Sequence, residues 1–263
     1  MFHESIRYVI EAFVISLWIL CGVFGACIGS FLNVVIVRLP KGESIVRPRS
    51  RCPSCGAGIA WYDNIPVLSF LLLLGKCRRC KKSISPRYLL VELLAAGLAL
   101  ATLAHERQVS TFLVYYCLFV APLLTVIFID LERRIIPNEI SLSGIVIGLV
   151  IMHAFWDSLL GILVGGGFLF LVGWIYEKLK KKEGLGGGDV KLAAMFGAFF
   201  GWQAVIFILL MASVLGSIVG LVLIAVMKKN WQTILPFGPF LVLGAYLYYF
   251  FGPPILHWYL NLF

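Results

Sequence analysis

The sequence predicts an all-α polytopic membrane protein with about eight transmembrane helices and one small zinc-binding cytoplasmic domain. Three observations carry that expectation. Apolar residues make up 61% of the chain and charged residues 13%, against roughly 25% charged in soluble globular domains. Long apolar runs recur, separated by polar turns. The one sizeable polar stretch holds four cysteines arranged as two CxxC pairs.

The first apolar run, residues 10 to 36, is too long for a signal peptide and lacks a small-residue cleavage site before a soluble domain. It reads as a retained span. Seven further runs cover residues 89 to 104, 111 to 129, 140 to 154, 159 to 176, 190 to 200, 203 to 227 and 236 to 252. About 20 apolar residues are needed to cross the bilayer core as a helix, so the short fourth and sixth runs are expected to be tilted, packed inside the bundle or lining a wet cavity. Pro137 fits the first position of the fourth helix, where an N–H would have no helical partner. Gly165-Gly166-Gly167 reads as close helix packing. The chain thus divides into a first span (1-37), a cytoplasmic domain (38-87) and a transmembrane bundle (88-263).

A net charge of +9 would suggest a nucleic-acid partner in a soluble protein. Its distribution points to the membrane instead. With the N-terminus outside and the spans alternating, 20 of the 22 Lys and Arg residues fall on one side, leaving only Arg7 and Arg107 on the other. The positive-inside rule makes that side the cytoplasm. The run formed by Lys178 and residues 180 to 182 reads as an anchor for lipid headgroups.

About fifty residues between the first two spans are too few to fold on a hydrophobic core alone. Cys52-Pro53-Ser54-Cys55 and Cys77-Arg78-Arg79-Cys80, with 21 residues between the pairs, have the spacing of four-thiolate zinc knuckles. Disulfides are the weaker account, because the cytoplasm keeps thiols reduced. A site closed by four thiolates has no position for a reacting water, so this zinc is expected to be structural. Cys21, Cys27 and Cys117 lie in apolar runs and read as core residues. The four histidines fall in spans or on the outer side and receive no role.

Asp130 closes the third run, and Asp189 follows Gly186-Gly187-Gly188 just before the sixth, so the predicted topology brings both to one membrane edge. Carboxylates there are costly unless paired, hydrated or used. Two brought together would share a proton, one acting as general base toward water and the other as acid toward a carbonyl. The glycines would let the backbone approach an extended peptide and adopt conformations closed to other residues. Helix capping by Asp189 is the plainer alternative.

These residues, in order, resemble the type IV prepilin peptidases, or leader peptidase/N-methyltransferases. The resemblance runs nearly end to end: Gly29-Ser30-Phe31-Leu32-Asn33, Arg38-Leu39-Pro40, both cysteine pairs enclosing Asn64-Ile65-Pro66 and Gly75-Lys76, the stretch from Asp130 to Asn138, Gly186 to Lys191, and Pro236-Phe237-Gly238-Pro239-Phe240. It implies a bacterial inner-membrane enzyme facing the cytoplasm. Such an enzyme cleaves the basic leader of type IV prepilins or type II secretion pseudopilins with Asp130 and Asp189 as the catalytic pair. It then methylates the new N-terminus, usually phenylalanine, from S-adenosylmethionine. Residues 38-87 would be associated with methylation and 88-263 with the GxGD aspartyl protease.

No Rossmann fingerprint appears, so methyl transfer rests on the resemblance, with Glu43, Gly75 and Lys76 as candidates toward the methyl donor. Glu132, Glu139 and Glu183 are candidates for holding the basic leader, with pairing to neighbouring arginines and lysines as the alternative. Membrane lipids are expected partners, nucleic acid is not, and a homodimer is compatible with the chain. Competing readings are another intramembrane GxGD protease, a transporter using paired aspartates, and a zinc-knuckle scaffold. Phe128-Ile129 before Asp130 stand where presenilin-like proteases usually have a tyrosine, which favours the prepilin reading.

Overall fold

The computed structural model describes residues 2–151, 154–181, 186–227 and 235–260. Most of these are α-helical, while residues 39 to 86 are largely turns and irregular backbone with two 3-10 turns, Leu39–Lys41 and Trp61–Asn64, one short helix and two isolated β-bridges. The helices are α1 (Phe2–Arg38), α2 (Leu68–Leu72), α3 (Arg87–Glu106), α4 (Val109–Tyr115), α5 (Ala121–Arg133), α6 (Asn138–Ile151), α7 (Phe155–Lys180), α8 (Gly187–Met227) and α9 (Gly238–Leu260). A π-helical turn, Tyr116–Val120, joins α4 to α5. The chain divides into two compact units, Met1–Thr125 and Val126–Phe263.

Each predicted apolar run is helical over most of its described residues, but the count of eight spans does not hold. Among the described residues, five helices are long and apolar enough to cross a membrane: Glu11–Lys41, Arg87–Glu106, Val109–Arg133, Phe155–Lys180 and Gly187–Val226. The reasons are length and continuity. Helix α6 has 14 residues, about 21 Å at 1.5 Å per residue against a hydrocarbon core of about 30 Å. The sixth and seventh runs are two helical limbs of α8 that meet at a kink at Gly201, whose φ of 80° lies outside the helical region, and together they count as one candidate. Exposed side chains such as Phe13, Leu20, Phe170 and Leu221 cover the long helices with apolar surface, as lipid contact requires.

In the second unit α8 is the hub. Residues 192 to 199 of its first limb are all buried, so the sixth run is packed inside the bundle as expected. Helix α6 differs, because it buries only one side and exposes Leu142, Val146 and Val150. Small residues admit each neighbour. A Cβ on Gly161 of α7 would collide with the carbonyl of Gly197 on α8, and one on Gly165 would stand 2.6 Å from the Ala193 carbonyl. A Cβ on Gly148 of α6 would lie 2.9 Å from Ala198, and one on Gly244 of α9 would lie 2.7 Å from the Ile208 carbonyl. With no hydrophobic driving force between helices in lipid, such close backbone approach is what holds them together. Gly165 and Gly166 pack as predicted, whereas a Cβ on Gly167 would meet nothing within 4 Å.

In the first unit α1 packs along α3. A Cβ on Gly25 would lie 2.6 Å from Ala99 Cβ, and one on Gly29 would lie 2.7 Å from Glu92 Cα. Cys21 is buried, but Cys27, expected in the core, is exposed.

Candidate active site

Asp130 lies in the last turn of α5. The helix stops there because Arg134 takes a left-handed conformation, φ 57°, and its N–H closes onto the Asp130 carbonyl at 2.9 Å. Asp189 is the third residue of α8. Its N–H donates to the Gly186 carbonyl at 3.0 Å, and its carboxylate accepts from the Gly186 N–H. This is one half of a capping box, with the Gly186 carbonyl closing the turn in place of an N-cap side chain. Capping and proximity to a second carboxylate therefore coexist, for Asp189 and Asp130 are close enough for their charges to interact. Asp130 is 5% exposed.

The residue that sequence reasoning missed is Gly238, the first of α9. Its N–H donates to Asp130 Oδ2 at 3.1 Å, and a Cβ on it would stand 2.6 Å from that oxygen and 3.1 Å from Ile136 Cδ1. Ile136 is the shared wedge, since a Cβ on Gly188 would lie 2.9 Å from Ile136 Cβ. Lys191 Nζ donates to Asn138 Oδ1 at 2.7 Å, fastening the start of α8 to the start of α6. Pro137 stands at the start of α6, immediately before Asn138, and its carbonyl accepts the N–H groups of Ile140 and Ser141 at 3.2 Å. The repeated Pro-Phe-Gly-Pro-Phe pattern, with glycine at its centre, was the only available signal for Gly238. Gly238→Ala is expected to lower the cleavage rate constant by about 10²-fold, the scale of a displacement of about 1 Å in catalytic geometry. Kinetics on a synthetic prepilin, with zinc content as a folding control, check this, and an unchanged rate would contradict it.

The glycine run serves differently from its expectation. None of Gly186, Gly187 and Gly188 takes a positive φ, so the forbidden-conformation argument does not apply to them. Close approach survives only at Gly188, against Ile136, while a Cβ on Gly187 would meet nothing within 4 Å. Gly186 and Gly187 are exposed backbone. Glu132 is exposed in the last turn of α5 and Glu139 in the first turn of α6. Glu183 lies outside the described residues.

The four cysteines converge in the first unit. The sulfurs of Cys52, Cys55, Cys77 and Cys80 all lie within 4.8 Å of one another, and Cys52 and Cys80 are 3.8 Å apart. Zinc–sulfur bonds of about 2.3 Å in a tetrahedron give edges of about 3.8 Å, so the donors fit that metal. Both knuckles fold alike. Gly56 N–H donates to the Cys52 carbonyl at 2.9 Å and Lys81 N–H to the Cys77 carbonyl at 3.0 Å, with positive φ at Gly56 and Lys81 alike. The N–H groups of Cys55 and Ser54 push the Cys52 thiol down to about 6, toward the thiolate a metal needs. Between the knuckles, Arg78 donates to Asp63 through Nε at 2.8 Å and Nη2 at 2.6 Å, holding that carboxyl below its usual range. Gly75 and Lys76 belong to the second knuckle, and the ion-pair partner of Glu43 is Lys41 at 3.9 Å.

Residues 23–106 match the Bacterial Peptidase A24 N-terminal domain, and residues 117–221 match the Type IV leader peptidase family. The chain is 43% identical over 230 residues to the prepilin leader peptidase/N-methyltransferase of Myxococcus xanthus (strain DK1622), covering 85% of this chain and 67% of that one. The relative of the same description from Stutzerimonas stutzeri is 36% identical, covering 93% of this chain and 94% of its own. That from Aeromonas hydrophila is also 36% identical, at 90% and 92%. No solved structure matches.

Proposed function

Because this chain belongs to the type IV prepilin leader peptidase/N-methyltransferase family, peptidase A24, we propose that Asp130 and Asp189 are the pair that hydrolyses the leader peptide bond. The enzyme processes type IV prepilins. The observation that carries the residue assignment is a carboxylate at the end of each of two apolar helices, with Gly188 before one and Gly238 against the other both closing on Ile136, and with Asp130 accepting the N–H of Gly238, whose lack of a Cβ admits that approach. Between them they hold one proton at working pH and titrate as a unit. The ionised member takes a proton from water, the protonated member gives one to the carbonyl oxygen, and the tetrahedral species collapses to a carboxylate on the leader, the proton taken from water passing to the departing α-amine of the mature pilin. The exposed backbone at Gly186 and Gly187 offers hydrogen bonds to an extended substrate. Incubating purified protein with a synthetic prepilin and weighing the products tests the activity, and an intact peptide would refute it.

The remaining assignments complete this reading. Cys52, Cys55, Cys77 and Cys80 hold a structural zinc, and residues 38–87 serve the methyl-transfer half, with S-adenosylmethionine as donor. When bound, that donor supplies an electrophilic methyl group. Glu43, Gly75 and Lys76 stay as candidates toward it. Pseudopilins of type II secretion are substrates beside prepilins. The basic loops face the cytoplasm of the bacterium, and catalysis occurs at that edge of the membrane.

A basic leader approaching this basic surface would be repelled without local acidic groups. Glu132, Glu139 and Glu183 stand in the loops that carry the aspartates. Changing all three to Gln is expected to raise the KM for a lysine-rich leader by about tenfold and to affect a leader with glutamine in place of lysine much less. Equal effects on both leaders would show that these glutamates support the fold and do not read the leader.

A further inference from the structure

Glu92 lies five residues into α3, about 8 Å along the helix, and is 8% exposed inside a candidate membrane span. An ionisable group there is expensive, and the cleavage chemistry does not use it. One of its oxygens accepts the N–H of Val67 at 2.7 Å, and the Ser30 side chain also bonds it. One turn further along α1, Asn33 donates through Nδ2 to the Tyr88 carbonyl at 3.0 Å. Its own carbonyl oxygen, in a residue 2% exposed, has no hydrogen-bond partner. Gly29 is what lets α1 approach the α3 backbone at Glu92. The seam therefore leaves the side-chain oxygen of Asn33 unmet close to a buried carboxyl group.

The backbone N–H presented to Glu92 comes at a cost. Val67 has φ 63° and ψ −55°, and Leu68 N–H closes onto the Pro66 carbonyl at 2.6 Å, a γ-turn centred on a β-branched residue. Such a conformation persists only where its surroundings enforce it, and it accompanies functional sites. A strained turn whose N–H caps a buried carboxylate is arranged like a stand-in for a better donor. The group that satisfies an unmet acceptor and a carboxylate together is an ammonium.

We propose that Glu92, Ser30 and the carbonyl oxygen of Asn33 bind the free α-amino group of the cleaved pilin, with Glu92 as the acceptor of its proton during methyl transfer. The amine displaces the Val67 N–H and lets that turn relax. On transfer the amine gives its proton to Glu92, its freed electron pair forms the N–C bond to the methyl group, and the C–S pair departs with the sulfur of the sulfonium donor. This rests on the methyltransferase reading given above.

The test uses the full-length purified enzyme and a peptide of the processed pilin N-terminus, with its amine free or acetylated. Binding is measured without any methyl donor. Wild-type protein is expected to prefer the free amine by at least about tenfold. Glu92→Gln, which can still accept the Val67 N–H, is expected to lose that preference. With donor added, methylation by Glu92→Gln should fall about 10²-fold or more, the usual scale for a lost proton acceptor. Zinc content and leader cleavage should stay within about twofold of wild type. Equal binding of both peptides by wild type, or methylation by Glu92→Gln within about threefold, would overturn the proposal. Failure of wild type to methylate at all would instead refute the underlying reading. Should Glu92→Gln not fold, Asn33→Leu decides: a KM for the amine peptide raised about tenfold supports the site, and an unchanged KM overturns it.

Discussion

Asp130→Asn and Asp189→Asn are each expected to reduce leader cleavage by at least about 10³-fold, within the range for loss of a general acid or base. Asparagine keeps the shape and can still accept the Gly238 N–H at position 130 or the Gly186 N–H at position 189, so the local fold should persist. It has no proton to hold or release, and a pair that shares one proton fails when either member is removed. Release of leader from a synthetic prepilin measures the effect. Zinc content, and methylation of a peptide already lacking its leader, show that the variants are folded. More than a tenth of the wild-type cleavage rate in either variant would exclude the pair as the hydrolytic centre.

The aspartates and the four cysteines could be read from sequence because their chemistry requires particular residue types at particular places. A carboxylate at the edge of an apolar run is conspicuous, and thiols at CxxC spacing have few other uses. What supports them was hidden. Gly238 braces Asp130 from 108 residues away, and nothing local to either position announces the contact. Ile136 is an ordinary apolar residue until Gly188 and Gly238 are seen to close on it. The two knuckles share one turn geometry although one uses glycine and the other lysine, so their likeness lies in backbone angles and not in letters. Glu92 resembled any charge near a helix start, and only burial against α1 and the Val67 turn distinguishes it.

The span count failed for a related reason. Hydropathy measures how apolar a run is, and it is blind to whether neighbouring runs share one helix or whether a short run spans anything. The sixth and seventh runs meet at a kink at Gly201 and count together as one apolar candidate. Helix α6 is as apolar as its neighbours but stops at 14 residues. The reading of burial was right for the first limb of α8, where eight successive residues are enclosed, and wrong for the outward side of α6.

The zinc site should yield the second large effect, because the segment it holds has almost no other source of stability. Between residues 39 and 86 only Cys52, Ser69 and Gly75 are buried, while Trp61, Leu72 and Leu74 are more than 80% exposed. Backbone ordering costs about 1–2 kcal/mol per residue, and the few buried atoms here offset little of it. Structural zinc contributes about 10–16 kcal/mol in small zinc-finger peptides, enough to decide whether such a segment folds. Cys52→Ser removes the most enclosed of the four sulfurs. Metal analysis is expected to fall from about one zinc per chain to nearly none, and residues 39 to 86 should become open to limited proteolysis. Strong chelation of the wild-type protein should do the same. Asp130 and Asp189 belong to the other unit, so methylation is expected to be lost while most leader cleavage remains. A metal-free protein whose segment resists protease and still methylates would show that the cysteines do not hold the fold through zinc.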